Sequence, residues 1–135
     1  MTDKYHFLYV EDDPTSRAVM EMLVRYWFTD AKLTIFEDST DFITRLEALS
    51  SEPTIIFLDI HMQPYTGFEM LNMIQQHQGY IGSTVIALTA SVMNEEVQQL
   101  EAAGFSGAIA KPLDREVFPE LVEHILNGKT VWHVS

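Results

Sequence analysis

Short apolar runs rich in β-branched residues, each followed by a longer amphipathic stretch, recur along this chain at about the spacing of a βα unit. They are Tyr5–Val10, Lys32–Phe36, Thr54–Leu58, Thr84–Leu88 and Ala108–Ala110. Runs this short, carrying Val10, Thr34, Ile35, Ile55, Ile56, Val85 and Ile86, suit strands buried on both faces. The stretches between them have helix signals. Asp13-Pro14 offers an N-cap followed by proline at the first helical position. Ala18, Met22, Leu23 and Tyr26 then form the apolar stripe expected to face the sheet. A second helix is predicted over Thr40–Leu49, and a third after Gly67 with Met70, Leu71 and Ile74 inward. A fourth is predicted over Asn94–Ala103, stopped by Gly104. The fifth is expected to start at Asp114, carry Val117, Phe118, Leu121, Ile125 and Leu126, and end near Asn127-Gly128. Five strands alternating with five helices predict an α/β fold: a doubly wound parallel sheet with helices on both faces, joined by right-handed crossovers.

A chain of 135 residues fits one such domain, placed at 1–128, with 129–135 as a short C-terminal tail. Val131 and Trp132 in that tail either pack back on the domain or reach a partner. With no cysteine, zinc–thiolate sites, redox motifs and cysteine nucleophiles are excluded. The N-terminus is polar, and no run approaches the ~18 apolar residues of a membrane span, so a soluble, cytoplasmic protein without membrane insertion is expected. Acidic residues outnumber basic ones 20 to 8, for a formal charge of −12. That sign repels a nucleic-acid backbone and argues against direct binding to it.

In open α/β sheets, ligands bind beyond the carboxyl ends of the strands. The residues that follow each run are therefore the informative ones. Glu11, Asp12 and Asp13 follow the first, Asp59 and then His61 and Met62 the third, Thr89 and Ala90 the fourth, and Lys111-Pro112 the fifth. If the first and third strands are neighbours, about 4.8 Å apart, carboxylates at their ends reach one cation. Without it they repel, and at least one pKa should rise. All-oxygen ligands favour Mg²⁺ or Mn²⁺, and Asp13 is better used as the helix cap. Lys111 would be repelled by such a cation unless an anion lay between them. A phosphoryl group fits that gap, clamped by the metal, the Lys111 ammonium and the Thr89 hydroxyl. Asp59 is then the candidate nucleophile, since carboxylates form aspartyl phosphates.

Taken singly, a strand-end aspartate is more often a cap or turn residue, and it is the ordered set that carries the argument. Three other classes compete. An aspartate-nucleophile hydrolase would need a carboxylic acid where His61 stands. A flavin-binding protein would need a hydroxyl- and glycine-rich loop where Glu11-Asp12-Asp13 stands. A phosphorylation-independent binding module with the same fold is the remaining alternative. His6, His77, His124 and His133 lack metal-ligand spacing.

The motifs Tyr9-Val10-Glu11-Asp12-Asp13-Pro14, Phe57-Leu58-Asp59-Ile60-His61-Met62 with Gly67, Ala87-Leu88-Thr89-Ala90 and Ala110-Lys111-Pro112, in this order, resemble the receiver domains of two-component response regulators. The resemblance covers about Lys4 to Asn127 and implies the flavodoxin-like receiver fold with strand order 2-1-3-4-5. It makes Asp59 the phosphoacceptor, Thr89 and Lys111 its phosphoryl-binding partners, and Glu11, Asp12, Asp59 and the His61 backbone carbonyl the metal ligands. It also implies a cis Lys111–Pro112 bond and a phosphoryl donor on a sensor histidine kinase or histidine phosphotransfer domain. With no output domain expected after Asn127, the single-domain protein would signal to a downstream protein target by docking, through the fourth helix, fifth strand and fifth helix, with a homodimer as a further option. Four positions depart from or vary within the family pattern. Gln63 separates Met62 from Pro64, Ala108 stands where a switching aromatic is usual, and His61 and Ser91 occupy places that tune phosphoryl lifetime.

Overall fold

The computed structural model describes residues 4–77, 82–90 and 93–133. Its strands are β1 (Tyr5–Val10), β2 (Ala31–Phe36), β3 (Ile55–Asp59), β4 (Thr84–Thr89), β5 (Gly107–Ala110) and β6 (Val131–His133). Its helices are α1 (Pro14–Trp27), α2 (Phe42–Glu47), α3 (Gly67–Gln75), α4 (Asn94–Ala103) and α5 (Phe118–Leu126). All strand pairs are parallel, in the order β2-β1-β3-β4-β5-β6. The doubly wound α/β sheet is therefore present, with β1 between β2 and β3 as the order 2-1-3-4-5 requires.

Two apolar layers hold the helices to the sheet. Leu8, Val10, Ile56, Leu58, Val85, Ala87 and Ala108 face α2, α3 and α4, against Leu46, Met70, Leu71, Ile74 and Leu100. Phe7, Tyr9, Ile55, Phe57, Ile86, Leu88 and Ile109 face α1 and α5, against Met20, Leu23, Val24, Phe118, Val122 and Ile125. This strict alternation along doubly buried strands explains why β1, β3 and β4 read as unbroken apolar runs.

Several boundaries differ from the sequence reading. The sheet gains β6 within the stretch read as a tail: Gly107 pairs with Val131 and Ala108 with Trp132, so the outer edge of β5 is closed. The β5 edge of the docking face expected around α4, β5 and α5 is consequently paired with β6. On α1 the inward residues are Met20, Leu23 and Val24, whereas Met22 and Tyr26 of the expected stripe are 52% and 72% exposed. Asp114 caps only a turn, accepting from the N–H groups of Glu116 and Val117, and α5 begins later, at Phe118, with Pro119 in its first turn. The second helix is shorter than Thr40–Leu49, spanning Phe42–Glu47. The Asp13 cap, the Gly104 stop at left-handed φ, and the inward Met70, Leu71 and Ile74 all match expectation. Among the described residues no helix is long and apolar enough to cross a membrane.

Candidate functional site at the carboxyl ends of the strands

The register sets the site. Val10 pairs with Leu58, so the next residue on each strand brings Glu11 beside Asp59. Asp59 in turn pairs with Leu88, one residue before Thr89, and Thr89 pairs with Ala110, one residue before Lys111. Four strand ends therefore converge on one rim. Glu11, Asp12 and Asp59 each present a carboxylate oxygen within 4.8 Å of the others. Glu11, Asp59 and Thr89 are buried, at 0%, 6% and 2% exposure, while Asp12 stands exposed at the mouth.

Lys111 ties the set together. Its Nζ donates to Glu11 Oε1 at 2.5 Å and to Asp59 Oδ2 at 3.4 Å. The N–H of His61 donates to the other Asp59 oxygen, Oδ1, at 3.2 Å. That bond brings the His61 peptide against the aspartate while its side chain stays exposed. The Lys111 N–H is bonded to the Thr89 carbonyl at 2.9 Å, which fixes the two strand ends relative to each other. Asp13 faces away from the group, accepting from the N–H and hydroxyl of Ser16 at 2.8 and 2.7 Å as the α1 cap.

The loop after β3 is held on two sides. Gly67 N–H bonds the Ile60 carbonyl, and a Cβ on Gly67 would lie 2.8 Å from the Asp59 carbonyl oxygen and 2.9 Å from Ile60 Cα. Only glycine fits that approach. Farther along, buried Ser39 accepts from the N–H of Tyr65 and donates to its carbonyl. Gln63–Pro64 and Lys111–Pro112 are both cis, the second as expected. Met62, just before the intervening Gln63, packs into the core. Ser91 lies outside the described residues.

Charge crowding shifts the acids apart. Burial, then a hydrogen bond and repulsion from Glu11, push Asp59 well above the usual carboxylate range, against the pull of Lys111 and the His61 N–H. Burial would also raise Glu11, but hydrogen bonds from Asp59, Lys111 and Tyr9 outweigh it and hold Glu11 ionised. Burial opposes the charge on Lys111, and the bond to Glu11 with the charges of Asp59 and Glu11 more than restores it. Opposite shifts of two crowded carboxylates sharing one ammonium are what like-charge repulsion in a buried site produces. The donor set fits a hard divalent ion: it is all oxygen and in excess of the single ammonium present.

One residue of the site escaped the sequence reading. The Tyr9 hydroxyl, on a residue 1% exposed, donates to Glu11 Oε1 at 2.7 Å. Its signal was available: residues two apart on a strand share a face, and a buried phenol needs a partner.

The chain matches the response regulator receiver domain family over residues 7–123. It is 27% identical over 113 residues to a stress response regulator protein from Debaryomyces hansenii, covering 84% of this chain and 46% of that protein. It is 28% identical over 126 residues to the sensor protein TorS of Escherichia coli, covering 92% of this chain and 13% of the relative. The chain thus spans less than half the length of each of these two relatives. Among solved structures, the signal receiver domain of a DNA-binding response regulator from Colwellia psychrerythraea superimposes with a TM-score of 0.80 at 22% identity, covering 92% of this chain and 99% of that one. The protein belongs to the receiver-domain family of two-component response regulators.

Proposed function

We propose that the protein is a response regulator receiver that accepts a phosphoryl group on Asp59 from a phosphohistidine of a sensor histidine kinase or phosphotransfer domain. The observation that carries this reading is the Lys111 ammonium spanning Glu11 and Asp59 at the rim where β1, β3, β4 and β5 end. An Asp59 oxygen attacks phosphorus in line, the P–N bond breaks, and the donor imidazole leaves with the bond pair. Lys111 moves from the carboxylates onto the phosphoryl oxygens, and the Thr89 hydroxyl donates to another. Glu11, Asp12, Asp59 and the His61 carbonyl would hold Mg²⁺ or Mn²⁺, which would supply positive charge against the phosphoryl oxygens. The protein turns over only its own phosphoryl group, so it is a phosphoacceptor rather than an enzyme acting on other substrates. It works in the cytoplasm and passes its state to a protein target, alone or as a homodimer.

A phosphorylation-independent binding module is the alternative. It gives no reason to bury Glu11 and Asp59 around one ammonium, a set that costs desolvation free energy. The test is to incubate the chain with a small-molecule phosphodonor and Mg²⁺ and weigh it. A mass gain of one phosphoryl group, absent in Asp59→Asn, is expected. A gain that persists in the variant, or none in the wild type, overturns the reading.

A further inference from the structure

We propose that Tyr9 is a positioning residue of the ion site, orienting the Glu11 carboxylate so that Lys111 can be released to Asp59. This rests on the reading of Glu11, Asp12 and Asp59 as the ligands of a divalent cation.

The distribution of donors on Glu11 carries the argument. Oε1 accepts twice, from Tyr9 Oη at 2.7 Å and from Lys111 Nζ at 2.5 Å. Oε2 receives the distant N–H of Asp13, at 3.4 Å. Oε1 is thus fixed by two short bonds, and Oε2, the less tightly held oxygen, is the one for the ion. Glu11 is 0% exposed and Tyr9 1%, so solvent cannot replace the phenol. The ring is held by its place on β1, in the layer facing α1 and α5 with Phe57, Leu88 and Phe118.

Sharing Lys111 makes this consequential. The ammonium is already 3.4 Å from Asp59, and an anion formed there draws it off Glu11. A buried carboxylate abandoned by its cation is strongly destabilised. The Tyr9 hydroxyl keeps Oε1 hydrogen-bonded in both positions of the lysine. Without it, Oε1 would lose one of its two short bonds and would hold Lys111 more tightly to Glu11. The carboxylate would also be free to rotate its open oxygen away from the ion. Partners that orient metal ligands in this way are typically worth about 10–100-fold in metal affinity.

The test is Mg²⁺ binding by calorimetry to the full chain, in wild type, Tyr9→Phe and Val122→Ala. Tyr9→Phe keeps the ring and removes one oxygen, so the core stays filled. Val122→Ala opens the same apolar layer without touching an acid, and controls for lost stability. Tyr9→Phe should raise the dissociation constant about tenfold or more, and Val122→Ala should leave it within about twofold. Equal affinity in wild type and Tyr9→Phe overturns the role of Tyr9 alone. Equal weakening in both variants overturns it too, by making the effect one of stability. A wild type that binds no Mg²⁺ overturns the ion site itself, and Tyr9's role with it.

Discussion

Asp59 and Glu11 are the same chemistry placed in different surroundings, and the difference sets how the pair responds to pH. Burial and the neighbouring Glu11 charge push Asp59 up to about 7, against about 3.9 in an unfolded chain. The folded state therefore keeps a proton that the unfolded state has released. Stability from this group is fully present below pH ~4 and is lost as pH rises toward 7. Glu11 has the opposite sign, its stabilisation arriving as pH climbs from about 2. The neutral isostere Asp59→Asn removes the first effect and keeps the shape. In metal-free urea titrations the variant should be more stable than wild type at pH 7, by about 1–3 kcal/mol, and the gap should close toward pH 4. A gap independent of pH would mean that Asp59 is ionised throughout.

At the scale of elements, β6 shows how a short segment is fixed by what its neighbour leaves out. A Cβ on Gly107 would sit 2.4 Å from the Val131 carbonyl oxygen, so glycine is what lets the strand approach. Ala108, fully buried, pairs with Trp132, and the indole packs on the layer that includes Leu100 and Phe105. Trp132→Ala should cost about 2 kcal/mol in urea unfolding; no loss would mean that the strand is not held by its side chain. This pairing could not be read from the sequence, because three residues carry no period and the contact between Ala108 and Trp132 is long-range. The stripe on α1 failed for another reason. Two apolar sets share that helix, and periodicity ranks them no better than their residues do. Met22, Tyr26 and Trp27 remain half-exposed or more, with the Tyr26 and Trp27 rings edge to face at 4.8 Å. By contrast, Glu11, Asp12, Asp59, Thr89 and Lys111 were legible because strand ends converge wherever parallel strands are adjacent. That rule needs only topology, and the register supplied it.

The whole molecule adds a field to these local terms. A formal charge of −12 on 135 residues makes the folded chain repel itself, and three of the acids are concentrated in one mouth. Two kinds of stabilisation by salt follow, and they separate cleanly. Sodium chloride screens the general repulsion at every exposed acid, with a Debye length near 10 Å at 0.1 M. Mg²⁺ does this as well, but on the proposed reading it also fills one site, adding RT ln(1 + [Mg²⁺]/Kd), about 2.7 kcal/mol at a hundredfold excess over Kd. At matched ionic strength the wild type should therefore melt on the order of 5–10 °C higher in Mg²⁺ than in sodium chloride. Asp12 is exposed, so Asp12→Ala is compatible with the fold while removing one ligand. The variant should keep the sodium chloride response, since it changes one charge among many, and lose most of the Mg²⁺ increment. An increment that survives in Asp12→Ala would place the ion's effect on the surface as a whole and not at the mouth formed by Glu11, Asp12 and Asp59.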